Sequence, residues 1–270
     1  MKSHEITEML WQEYLQRGLG YNYPRAKFNW TGQSIKWYLE SERTTDFYKR
    51  SLEILGPYMK DCNSLFDIGC GIGSFALEFA KRGFDVTAID KSNMAIEVLR
   101  ERIRAMELDS IEAQPIAFED FKFNSSYDII LLSYMAGLVD EANIMKVLQY
   151  TRQLVVAILP FDDIKNDFYI RELYYKLGIS TLNLKQPNYQ EIVDILDRKH
   201  IKYDLRIFKA EFGQPFENIY EAMFFIYHYF NLPKERWKDV RDWLNKKLIK
   251  KDDSLYLPSA RKSAMVIIEV

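Results

Sequence analysis

Three glycines and two acids are the residues of this chain best placed to hold a ligand. In Leu65-Phe66-Asp67-Ile68-Gly69-Cys70-Gly71-Ile72-Gly73-Ser74, a short apolar run passes Asp67 and enters Gly69, Gly71 and Gly73. Each glycine lacks a Cβ and tolerates positive φ, so the backbone can turn sharply and press against a ligand. Asp90 closes the next apolar run, Phe84-Asp85-Val86-Thr87-Ala88-Ile89. A carboxylate at the tip of a second strand can accept hydrogen bonds from both ribose hydroxyls, so the set describes a pocket for a nucleoside-bearing cofactor. A dinucleotide fingerprint is G-x-G-x-x-G. Ser74 stands where that pattern needs its last glycine, which counts against an NAD(P)-dependent oxidoreductase.

The string from Phe66 to Asp90 resembles motif I and the ribose acid of class I S-adenosylmethionine-dependent methyltransferases. The resemblance continues through Asp90-Lys91-Ser92, Tyr127–Ser133 and Leu154–Pro160, and covers roughly residues 50–160. It implies S-adenosylmethionine as cofactor and S-adenosylhomocysteine as product. It sets the backbone of Gly69, Cys70, Gly71 and Gly73 against the methionine portion and ribose. Asp67 falls near the cofactor's ammonium group, where it can equally brace the glycine loop. Asp90 falls on the ribose, Lys91 beside the adenine, and Phe118 on the adenine as an apolar wall. Many members carry an Asp where this chain has Ala117; Glu119, Asp120 or a backbone carbonyl is left to meet the adenine amino group.

The family places Ser133-Tyr134-Met135 beneath the transferable methyl. The Asp/Asn-Pro-Pro-aromatic motif of enzymes that grip a flipped base is absent there. Ser133 is a cofactor-side contact and a poor substitute for a metal-binding Asp, so no metal is expected. Tyr134 either orients the nucleophile or lines the wall. Of His4, His200 and His228, only His228 lies in an aromatic helix that could roof the pocket, as a general base or as a packed ring. Trp30, Trp37, Tyr134 and Phe161 are the candidate acceptor contacts. Tyr21–Tyr38 and Asp167–Leu177 are the candidate lids, because methyl transfer requires alignment of the nucleophile and exclusion of water.

Composition narrows the partners. The 270 residues carry a formal net charge of −2, so no strong basic field steers the chain to nucleic acid. Only Cys62 and Cys70 occur, too few for a disulfide framework or a zinc cluster. No apolar run reaches the ~20 residues that span a bilayer, and Met1-Lys2-Ser3-His4-Glu5 opens a charged segment rather than a secretory one. The expectation is a cytoplasmic monomer or homodimer, without membrane or nucleic-acid partner, that methylates a small molecule. A nucleic-acid or protein methyltransferase and a catalytically silent cofactor-binding module are the alternatives within the same fold. Hydrophobic residues make up 48% and aromatics 15%, with several rings before the first glycine.

These residues need a scaffold of strands alternating with helices. Periodicity predicts helices over about 4–17, 34–42 and 45–59, then strand 64–68, helix 74–82, strand 84–89, helix 92–107 and strand 111–118. Strands 127–133 and 154–159 read as apolar runs covered on both faces, with a helix around 143–148 between them. Beyond them come helices 167–177 and 189–199, a short strand 180–184, strand 203–211, helices 216–230 and 234–250, and a last strand 263–270. The alternation implies a doubly wound α/β sheet. The resemblance implies seven strands, mostly parallel, with an antiparallel last strand beside the fifth. Residues 1–60 read as a helical, aromatic lid. Residues 61–160 read as the Rossmann-like cofactor core. Residues 161–270 read as the rest of the sheet with helical insertions on the acceptor side.

Overall fold

A computed structural model describes residues 29–270. The expected helix at 4–17, His4 and the first part of the 21–38 lid lie outside the described residues.

The first half alternates as the sequence predicts. Helix α1 (Gly32–Thr44) begins with a reciprocal cap, in which Thr31 Oγ1 accepts the Ser34 N–H and Ser34 Oγ accepts the Thr31 N–H. Helix α2 is Phe47–Leu55. Then come β1 (Ser64–Ile68), α3 (Ser74–Ala80), β2 (Asp85–Asp90) and α4 (Asn93–Ala105), which Ser92 caps by accepting the Ala95 N–H. Strand β3 (Ile111–Pro115) stops at its proline, three residues short of the expected end, because proline has no N–H for the ladder. Strand β4 (Tyr127–Ser133), helix α5 (Glu141–Gln149) and strand β5 (Thr151–Pro160) complete the core.

Among the described residues, one sheet has the strand order β3-β2-β1-β4-β5-β10-β6, where β6 is Asp204–Glu211 and β10 is Ala260–Glu269. Strand β10 pairs antiparallel with both neighbours, and the pairs among β1 to β5 are parallel. The doubly wound sheet with an inserted, reversed last strand is therefore present. Leu65, Phe66, Ile129, Ile130, Val155 and Val156 are fully buried, as strands covered on both faces must be.

The second half departs from the sequence reading in four places. Residues 181–184 form a 3-10 turn rather than a strand, because Ser180 Oγ accepts the Leu182 N–H and starts a turn. The expected helix 167–177 is a 3-10 turn at Asp167–Tyr169, where Phe168 and Tyr169 have positive φ, followed by α6 (Ile170–Leu177), which ends at Gly178 as expected; α7 is Gln190–Arg198. The expected helix 216–230 is shorter: β7 (Gln214–Phe216) precedes α8 (Ile219–Tyr229), which starts where Asn218 caps two N–H groups. The expected helix 234–250 is a 3-10 turn, then α9 (Trp237–Lys247), then β8 (Ile249–Lys251). With β9 (Ser254–Leu257), these strands form a second sheet in the order β7-β9-β8. Strands this short show no alternation to read.

A separate aromatic cluster holds the appendage together. Trp37, Phe168, Tyr174, Phe216, Phe225 and Trp243 are among its buried members. Among the described residues, no helix is long and apolar enough to cross a membrane.

Candidate active site

The glycine turn is built from the tips of β1 and β2. Gly69, Gly71 and Gly73 have φ of +70°, +56° and +82°, which side-chain-bearing residues adopt only at a cost. The N–H groups of Gly69 and Cys70 donate to the Ile89 carbonyl at 2.8 and 2.9 Å, which fastens the turn to β2. Asp90 clamps the other side: its Oδ2 accepts the Gly71 N–H at 3.0 Å and its Oδ1 accepts the Ser92 N–H at 2.8 Å. Each carboxylate oxygen has spare acceptor capacity, so these two bonds leave lone pairs for a ligand.

Space above the turn is filled by two side chains. A Cβ built on Gly69 would come within 2.2 Å of Met135 Sδ, and one built on Gly71 within 2.5 Å of Trp30 Cζ2. The turn is thus a cradle that a side chain would obstruct. Trp30 also meets Tyr38 edge-on at 5.2 Å between centroids. Trp37 goes elsewhere: it is buried against Phe225, His228 and Tyr229, and its Nε1 donates to Glu221. The structure therefore brings Trp30, but not Trp37, onto the glycines.

Asp67 is only 2% exposed. Burial, with the nearby charge of Asp90, pushes its pKa up from the ordinary 3.8 to about 7, and a backbone hydrogen bond with Ala76 opposes the rise. Among the described residues no cation pairs with Asp67 or Asp90, so two carboxylates face an uncompensated site. That is the electrostatic fit for a cationic ligand. Burial and the same two acids push the Cys70 thiol well above its usual value, so Cys70 is a wall rather than a nucleophile.

Tyr134 follows β4 with φ +57° and donates its N–H to the Ile158 carbonyl at 2.7 Å. Its hydroxyl pairs with Ser263 Oγ on β10 at 2.7 Å, and burial pushes its pKa up to about 12. It lines a cavity of ≈ 210 Å³ that Pro160, Ile164 and Arg261 also border. Met135, the next residue, lies on Gly69, so the turn and the cavity are neighbours. Phe161 stacks on Tyr189 at 5.3 Å beneath the Lys262 ammonium, beside this cavity. Ser133 is half-buried at the tip of β4.

Phe118 is buried under Lys146, while Lys91, Glu119 and Asp120 are exposed. The His228 ring meets Trp37 and Tyr229 on an exposed face of α8, not the glycine turn or Tyr134. Its apolar contacts push its pKa below the usual imidazole value.

Glu42, which sequence reasoning missed, ties α1 to the turn. It accepts Ser74 Oγ at 2.6 Å and Arg102 Nη2 at 2.5 Å, and Arg102 Nη1 donates to the Ile72 carbonyl at 2.9 Å. Glu42→Gln is expected to cost about 1–3 kcal/mol in chemical denaturation, because Arg102 loses its half-buried partner.

Residues 65–156 match the methyltransferase-domain family. The chain carries a class I S-adenosylmethionine-dependent methyltransferase domain. The domain is 36% identical over 89 residues to the ribosomal protein L11 methyltransferase of Ruminiclostridium cellulolyticum, covering 32% of this chain and 28% of that one. It is 32% identical over 88 residues to the ubiquinone biosynthesis O-methyltransferase of Acinetobacter baylyi, covering 32% of this chain and 37% of that one. The chain thus spans about a third of the curated relatives it matches. Magnesium protoporphyrin IX methyltransferase of Synechocystis, solved with S-adenosylhomocysteine, shares the fold of the methyltransferase domain. Its TM-score is 0.50 at 10% identity, covering 96% of this chain and 98% of that one. A candidate methyltransferase of Bacillus halodurans gives 0.54 at 13% identity over 83% and 98%.

Proposed function

We propose that the protein methylates a small-molecule acceptor held in the cavity beside Tyr134. The observation that carries this reading is the adjacency of the glycine cradle, with Met135 and Trp30 on it, to a cavity of ≈ 210 Å³ lined by Tyr134. A space of that size suits a small molecule better than the folded protein for which the ribosomal relatives are named. S-Adenosylmethionine, when bound, supplies an activated methyl group on a sulfonium.

The chain's own residues do the rest. Gly69 and Gly71 give the cofactor a turn with no side chain of its own, and Gly73 lets that turn pack closely on Leu99. Asp90 keeps its clamp on Gly71 and Ser92 and turns its free lone pairs to the ribose hydroxyls. Asp67 offers a carboxylate to the cofactor's positive charge. Trp30 and Met135 exclude water, and Tyr134, protonated at neutral pH and held by Ser263, orients the acceptor by a hydrogen bond. Alignment carries much of the rate in such a displacement. His228 meets Trp37 and Tyr229 rather than the glycine turn or Tyr134, so this reading gives it no proton transfer.

Titration calorimetry with S-adenosylhomocysteine tests the cofactor half. Asp90→Ala is expected to weaken binding by about 1–3 kcal/mol, since it removes the ribose acceptor and frees Gly71. Unchanged affinity would refute the ribose assignment. A screen of small acceptors for S-adenosylhomocysteine release tests the other half, and no turnover with any acceptor would leave a binding module rather than an enzyme.

A further inference from the structure

Resting on the methyl-transfer reading, we propose that the acceptor is a small monocarboxylic acid and that Arg261 is the specificity-determining residue that anchors its carboxylate.

Arg261 enters the cavity from the start of β10, two residues before the Ser263 that holds Tyr134. Its guanidinium lies over three aromatic rings, 3.8 Å from the Phe212 centroid, 4.9 Å from Tyr134 and 5.8 Å from Phe47. These faces stabilise the cation but take none of its hydrogen bonds. The Nε of Arg261 is buried without a hydrogen-bond partner. The nearest carboxylate oxygen, Asp167 Oδ1, is 3.8 Å away, beyond hydrogen-bond reach. A guanidinium carries five donors in a planar fork, and leaving a buried one unmet is costly.

Asp167 is also shared. Its other oxygen lies 3.9 Å from Lys165 Nζ, so one carboxylate serves two cations. It is held at that distance by strained backbone: Phe168 and Tyr169 both have φ of +58°, and the Phe168 N–H is fixed by Ser259 Oγ at 3.0 Å. Lys209 and Lys262 add two more cations to the cavity wall, and Asp162 is the other acid there. With Arg261, three cations thus line the cavity against two carboxylates, an excess of one positive charge. A planar monoanion meets the unmet fork bidentately and balances the excess charge, while the two resident acids disfavour a dianion.

The test is a binding panel of aromatic monocarboxylic acids, from benzoate to indole-3-acetate, each paired with its primary amide. Affinities are read by calorimetry on the full chain saturated with S-adenosylhomocysteine. At least one acid is expected to bind tenfold or more tightly than its amide. Arg261→Met should remove that preference while S-adenosylhomocysteine affinity stays within about threefold, and Arg261→Lys should keep part of it because charge remains without the fork. Equal binding of every acid and amide by the parent chain, or a preference that survives in Arg261→Met, overturns the proposal. If Arg261→Met does not fold, the parent comparison and Arg261→Lys still decide it. A parent chain that takes up no S-adenosylhomocysteine overturns the methyl-transfer reading instead, and this proposal with it.

Discussion

Without cofactor at pH 8, Asp67→Asn is expected to melt above the parent chain, yet to bind S-adenosylmethionine at least tenfold more weakly. Burial, and then the charge of Asp90, raise the Asp67 pKa to about 7 from an ordinary 3.8. The folded state therefore holds a proton more tightly than the unfolded one. Between those two values stability falls as pH rises, because the native chain binds more protons there. Below about pH 4 Asp67 is protonated in both states and contributes no penalty, while above about pH 7 the full penalty is present. The gap between those two values corresponds to at most about 4 kcal/mol, or several degrees in melting temperature. Asparagine stays neutral throughout and removes the slope. Melting curves from pH 4 to 8.5 should show the variant and parent converging at the acid end and separating through neutrality.

Cofactor affinity runs the other way. A deprotonated Asp67 attracts the cation, so parent affinity should rise with pH up to about 7 and then level, and the variant should lose this limb. Parallel melting curves at all pH values would refute the assignment of the raised pKa.

Gly73→Ala should destabilise the folded chain by about 2–5 kcal/mol. Gly73 has φ +82°, where an L side chain costs about 1–2 kcal/mol. It also precedes α3, so the strain falls at a helix start. A Cβ there would lie 2.1 Å from Leu99 Cδ1, on a fully buried leucine of α4, and overpacking adds about 1–3 kcal/mol. Urea denaturation checks the sum. A loss under 1 kcal/mol would mean that α4 can shift away from the turn at little cost.

The glycine turn and its two acids were legible because they are local. Asp67, the three glycines and Asp90 fall within 24 residues, and turn and strand-tip chemistry forces their types. The doubly wound class followed from strand and helix alternation, and the place of the reversed last strand followed from the family resemblance. The acceptor end was not legible, because its parts come from distant strands. Arg261 reads as one charge before an apolar run, and only the pairing of β10 with β5 and β6 sets it beside Tyr134 and Phe212. Glu42 reads as one acid among several on an exposed-looking helix. Trp30 and Trp37 are seven residues apart in similar contexts, and their directions depend on where α1 packs. The signal available for Arg261 was its position, a cation opening a strand that is otherwise buried from Ser263 to Ile268.

The placement of β10 has a consequence for biosynthesis. Residues 260–269 fill the slot between β5 and β6, so a nascent chain still lacking them exposes two unpaired strand edges, each a template for misassembly. The sheet closes only when that decapeptide has left the ribosome and docked. Arg261 arrives with it, so the guanidinium enters its ring of aromatics in the same step that seals the gap.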